Sequence, residues 1–131
     1  MKSYLVELAE YELTDLKTFI HTAVPVKGTG QTNPTMATRV FQYQIFDWTV
    51  EKCPGNLSPA QKPEVLVFHR DTHHDCRVRK ADPLELLLLD HFSKPGAHLC
   101  DLEKTRAKLL PQNDVPLDRV LKDLSAVDLI L

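Results

Sequence analysis

The sequence predicts an α+β fold: an N-terminal helix and strand, then a β-hairpin packed on three helices. Three observations carry this expectation. Glu64 to Arg70 holds a short continuous apolar run, followed by a polar turn and an alternating segment, the pattern of a buried strand and its return. Three leucine-bearing stretches between Asp82 and Leu124 then repeat at helical spacing, separated by Pro and Gly. Ahead of both, Leu5, Ala9, Leu13, Leu16 and Ile20 follow steps of four, four, three and four, one face of a helix.

Composition fits that class. The chain has 131 residues, 43 % hydrophobic and 26 % charged. That length buries roughly two-thirds of the unfolded surface, enough for a core without staples. Sixteen Lys and Arg against eighteen Asp and Glu leave a net charge of −2, too balanced for a nucleic-acid arm or a polybasic membrane segment. Val65–Phe68, Leu86–Leu89 and Leu129–Leu131 are the longest apolar runs, far below the roughly 20 residues of a membrane span. Three cysteines, Cys53, Cys76 and Cys100, make an odd set with no close pair, and the start lacks a secretory h-region. The expectation is a cytoplasmic protein with reduced thiols.

Taken in order, the first helix carries the Leu5–Ile20 stripe as its buried face and ends near His21, because Pro25, Gly28 and Gly30 forbid continuation. Val24 to Thr35 is punctuated by Pro, Gly and Asn and reads as a mobile linker or surface loop. Arg39 to Gln44 is β-branched and aromatic, hence a strand; Ile45 to Glu51 can extend it or turn into a short helix, and the reading favoured is a strand followed by a helical turn ending at Cys53, where Pro54-Gly55-Asn56 stops it. Residues 54–63 carry three prolines and form a loop.

Glu64–Arg70 is then a strand buried on both faces. Asp71 to Asp75 is a turn, without the Asn-Gly signature of a tight hairpin, so a looser connection is expected. Cys76–Lys80 is the returning strand. Asp82-Pro83-Leu84-Glu85 places Asp at N-cap, Pro at N1 and Glu at N3 of the next helix, which buries Leu84, Leu87, Leu88 and His91 or Phe92 and stops at Pro95-Gly96. His98 to Leu110 and Leu117 to Leu124 are the last two helices, and Val127 to Leu131 is an apolar docking tail or terminal strand. The segments group as 1–53, a helix–strand–helix stretch, and 64–131, the hairpin with its helices.

The residues with chemical potential each have an ordinary reading beside the functional one. His69, His73, His74 and Cys76 cluster at the hairpin, with His98 and Cys100 further on. These are zinc-ligand types, but no Cys-x-x-Cys pair enforces convergence, and polar turn residues explain them. No Gly-x-Ser-x-Gly or His-Glu-x-x-His motif occurs, and Gly28-Thr29-Gly30 lacks the flanking strand and helix of a phosphate loop. The sequence therefore predicts neither enzyme nor resident cofactor or metal. Lys104, Arg106, Lys108, Arg119 and Lys122 lie on the last helices among acidic residues, a mixed-charge surface more than a DNA-reading face. Val65–Phe68 can pair with another chain if its edge is open.

The order of these features resembles a known family. Tyr4-Leu5-Val6-Glu7-Leu8-Ala9-Glu10-Tyr11-Glu12-Leu13, Asn33-Pro34-Thr35 before the Val40–Trp48 segment, the Val65–Arg70 and Arg77–Lys80 pair, Asp82-Pro83-Leu84-Glu85-Leu86-Leu87-Leu88 and Gly96-x-x-Leu99-x-x-Leu102 together look like the carboxyl-terminal portion of HvfC-like proteins, often labelled as DNA-binding-domain proteins. The helical amino-terminal domain that bears that label is not in this sequence. The hairpin half is also similar to winged-helix modules and to the small peptide-recognition modules of peptide-natural-product pathways. The resemblance implies a non-catalytic protein that recruits a ribosomally made precursor peptide to an iron-dependent TIM-barrel enzyme, which itself holds the metal. Val65 and Val67 would present the backbone edge, and Arg77 and Arg79 the charge. The alternative is a transcriptional regulator that sets its winged-helix-like half on DNA; a zinc-stabilised structural domain is the third reading.

Overall fold

The structure, a computed structural model, describes residues 4–50 and 58–131. Among them the chain forms α1 (Tyr4–Phe19), β1 (Ala37–Phe41), α2 (Ile45–Val50), β2 (Glu64–Arg70), β3 (Cys76–Lys80), α3 (Pro83–His91), α4 (Leu99–Leu109) and α5 (Leu117–Ala126). The fold is α+β. The three strands make one antiparallel sheet in the order β1-β2-β3, with Val67 opposite Thr38 on one side and Arg79 on the other.

Both faces of this sheet are covered, which is why β2 is apolar without alternation. Leu66 and Phe68 join Phe41 and Ile45 under α1 and α2. Val67 points the other way, into a core built from Leu84, Leu88, Leu89, Leu102, Leu117 and Leu124 of α3, α4 and α5. The hairpin strands and α3 follow the sequence reading closely. Asp82 accepts the Glu85 amide at 2.8 Å while Glu85 Oε1 accepts the Asp82 amide, a full capping box with Pro83 at the first helical position. The tail also docks: Leu129 and Ile130 are buried in the same core, and Ile130 bridges Thr32.

Three expectations are corrected. First, α1 presents the opposite face to the sheet. Leu5, Leu13, Leu16 and Ile20 are all half exposed or more, while Glu7, Thr14 and Thr18 are buried. The polar groups are internally satisfied. Glu7 accepts the amides of Gln42 and Tyr43 at 2.8–2.9 Å, and the two threonine hydroxyls donate to carbonyls one turn back. Tyr11 sets its ring edge-on against Phe68 at 5.3 Å. The Arg70 guanidinium donates to the carbonyls of Phe19, His21 and Ala23, closing the helix C-terminus.

Second, β1 stops at Phe41 and the chain turns into α2 at Ile45. The Glu7 carboxylate takes the Gln42 and Tyr43 amides that would otherwise extend the ladder, and Glu64 Oε1 accepts the Phe46 amide in the first turn of α2. The stop at Cys53 lies outside the described residues. Third, the Val24–Thr35 segment is anchored. The Gly28 amide donates to the Leu131 carbonyl and the Leu131 amide to Gln31. Buried Asn33 donates to the carbonyls of Arg70 and Asp128 and accepts from the amide and hydroxyl of Thr35, so all of its amide group is used. The hairpin connection runs from Asp71 to Asp75, longer than a two-residue Asn-Gly turn. Asp71 and Asp75 close it at 2.9 Å, the His74 amide donates to the Asp71 carbonyl, and His74 takes the left-handed conformation at φ 68°, the geometry of a type I turn with a bulge.

Candidate functional site

The site begins with the phase of the hairpin ladder. The Asp71 amide bonds to the Asp75 carbonyl and the Ala81 amide to the Val65 carbonyl. In an antiparallel pair, hydrogen-bonded positions alternate. Arg77 and Arg79 therefore spend their backbone groups on β2, whereas Cys76, Val78 and Lys80 turn theirs outward. Among the described residues no backbone partner meets them, so β3 is an open edge.

A cleft of about 820 Å³ lies beside this edge, with Lys27, His69, Asp71, Arg77, Arg79 and Asp128 among its walls. On the opposite face of the sheet, a groove of about 630 Å³ separates α1 from the start of β3, lined by Leu13, Leu16, Phe19 and Cys76 together with Glu12 and Asp15. The open edge thus runs between two recesses, the first with Lys27, Arg77 and Arg79 in its walls, the second apolar with an acidic rim.

Fixed ion pairs shape the cleft. Asp128, in the left-handed conformation at φ 62°, accepts the Thr72 amide and hydroxyl and pairs with Lys27 at 2.6 Å. Burial works to raise its pKa, but Lys27 and the two Thr72 donors outweigh it and hold the carboxyl down at about 2. Burial likewise opposes ionisation of Asp71, and the Asp75 amide, the Arg77 side chain and the His73 amide overcome it, lowering its pKa. Arg79 pairs with Glu85 at 2.6 Å, which ties the edge strand to the cap of α3. His69 is buried, and desolvation pushes its pKa down despite the nearby Val127 carbonyl. As a neutral ring it donates from Nε2 to that carbonyl at 2.7 Å and leaves Nδ1 without a partner. Burial raises the Cys76 thiol, which keeps it protonated at neutral pH.

The residues singled out from sequence are divided by this geometry. Val65 and Val67 sit on the central strand, paired on both sides, and Val67 is fully buried; the backbone edge they were expected to offer belongs to β3. Arg77 and Arg79 do border that edge, each committed to a carboxylate. The histidine–cysteine cluster is dispersed: His69 enters the core, His73 and His74 are exposed on the turn, and Cys76 faces α1. Among the described residues no three His, Cys, Asp or Glu side chains form a cation site. Arg106 of α4 is likewise engaged, donating to the Val115 carbonyl and to Glu103.

Sequence reasoning missed Val78, Lys80, Lys27, Thr72 and Asp128. Only Val78 and Lys80 had a local signal, since they alternate with the arginines, and their outward phase needed the register. Lys27 and Asp128 lie far apart in the sequence and meet only because the tail and the anchored loop dock side by side. No helix among the described residues is long and apolar enough to cross a membrane. No protein-family model matches the chain, and no curated protein matches it.

Proposed function

We propose that the chain is a non-catalytic binding protein that takes an extended peptide alongside β3. The observation that carries this reading is the outward-facing backbone of Cys76, Val78 and Lys80 with the Arg77–Arg79 cleft beside it. An added strand satisfies those amides and carbonyls and sends every second side chain into the cleft walled by Lys27, Arg77 and Arg79. In the terms the HvfC resemblance supplies, the peptide is a ribosomally made precursor and the chain brings it to an iron-dependent TIM-barrel enzyme in the cytoplasm.

Val78→Pro is the direct probe, because it deletes an outward amide and leaves the bonds to β2 in place. Wild-type and variant chains are used as baits in the native host, with circular dichroism confirming that both are folded. The wild type is expected to retain a small precursor peptide and an iron-containing enzyme, and Val78→Pro to lose the peptide. Equal recovery of the peptide by both baits, or recovery of DNA alone, overturns the proposal.

A further inference from the structure

The outward face of α1 is unlike the rest of the surface. Leu5, Leu13, Leu16, Phe19 and Ile20 are 50–63 % exposed on a single helix, and Val24 and Val26 extend the patch at 60 % and 58 %. Together these side chains show on the order of several hundred Å² of apolar surface, as much as or more than the largest patch on an ordinary monomer. The face buried against the sheet carries Glu7, Thr14 and Thr18 beside Tyr4, Leu8 and Tyr11.

We propose that two copies of the chain associate through this face, with their α1 helices antiparallel about a two-fold axis close to Leu13. The spacing of the stripe supports self-association. Its steps of four, four, three and four read nearly the same backwards, so a two-fold operation lays the stripe on itself. Leu5 of one copy meets Ile20 of the other, Leu13 meets Leu13, and Ala9, a small exposed residue, faces Leu16. A small residue opposite a large one lets the helices approach and interlock. A standard interface buries about 800 Å² per partner, and this patch would form its apolar centre.

Charge placement favours the same arrangement on one flank and opposes it on the other. Lys17 of each copy lies within a turn of Glu10 of the other, an attractive pair. Glu12 meets its own copy across the axis. Removing that repulsion should tighten the association, which gives the proposal a gain-of-binding arm as well as a loss.

The test is the solution mass of the full chain by sedimentation equilibrium, at concentrations up to about 100 μM, a range that captures even a weak interface. The expected mass is twice 14.9 kDa. Leu13→Asp should give the monomer, and Glu12→Gln should lower the dissociation constant severalfold. Both positions are exposed, so circular dichroism should show the same fold. Leu13→Cys, with Cys100→Ser, should cross-link to its own copy under mild oxidation, whereas Lys108→Cys in the same background should not. A monomer throughout the range overturns the proposal, as does a dimer untouched by Leu13→Asp.

Discussion

The two layers that cover the sheet are held by different chemistry. On the α3–α5 side the contacts are aliphatic: Leu84, Leu88, Leu89, Leu102 and Leu124 are sealed around Val67 with 2 % exposure or less. On the α1 side, aromatic rings share the interface with a carboxylate, two threonines and a guanidinium, and every one of those polar groups reaches a backbone partner. The first layer is driven by area removed from water. The second is oriented by hydrogen bonds that only one face of α1 can make, and it leaves the more apolar face outside. Burial of apolar surface decides whether a helix packs; satisfied polar groups decide here which way it faces.

Substitutions on the two sides sharpen this contrast. Leu88→Ala should have the largest effect, about 3–4 kcal/mol in denaturant unfolding, as a fully buried leucine replaced by a cavity. Glu7→Ala comes next, at about 2–3 kcal/mol, because it orphans the Gln42 and Tyr43 amides near the end of β1. A Glu7 effect below that of an ordinary surface change would remove the polar account of α1. Leu16→Ala should cost less than about 0.5 kcal/mol, since its side chain is 55 % exposed, although periodicity alone would rank it with Leu88.

Between these lies Asp128, which links the tail to the loop and the hairpin turn. Its carboxyl is held at about 2 against an ordinary value of 3.8. A depressed folded-state pKa contributes stability above the unfolded value that is lost as pH falls toward the folded one. Acid unfolding should therefore steepen between about pH 4 and pH 2. Asp128→Asn keeps the tolerance for a left-handed backbone, should cost about 1–2 kcal/mol at neutral pH after screening at the exposed Lys27 end, and should flatten that window. An unchanged acid limb would show that the Lys27 pair contributes nothing.

Much of the α3–α5 side was legible in the sequence, because capping residues and leucine spacing act locally and point the same way. Asp82, Pro83 and Glu85 needed no tertiary information, and neither did the boundaries of β2 and β3. The face of α1 was not legible, because the partners of Glu7 lie 35 and 36 residues away and their amides become available only once β1 ends. The candidate site was legible in part. The hairpin and its arginines could be found from alternation. The edge position of β3 could not, since it follows only from β1 taking the other side of β2.

The open edge is tested most directly by residue-resolved amide hydrogen exchange across β3. The amides of Arg77 and Arg79 should exchange slowly and those of Cys76, Val78 and Lys80 quickly in the free chain, with the fast set becoming protected when a peptide is bound. Uniform protection of all five amides in the free chain would contradict the account, because it would mean that the edge is already covered.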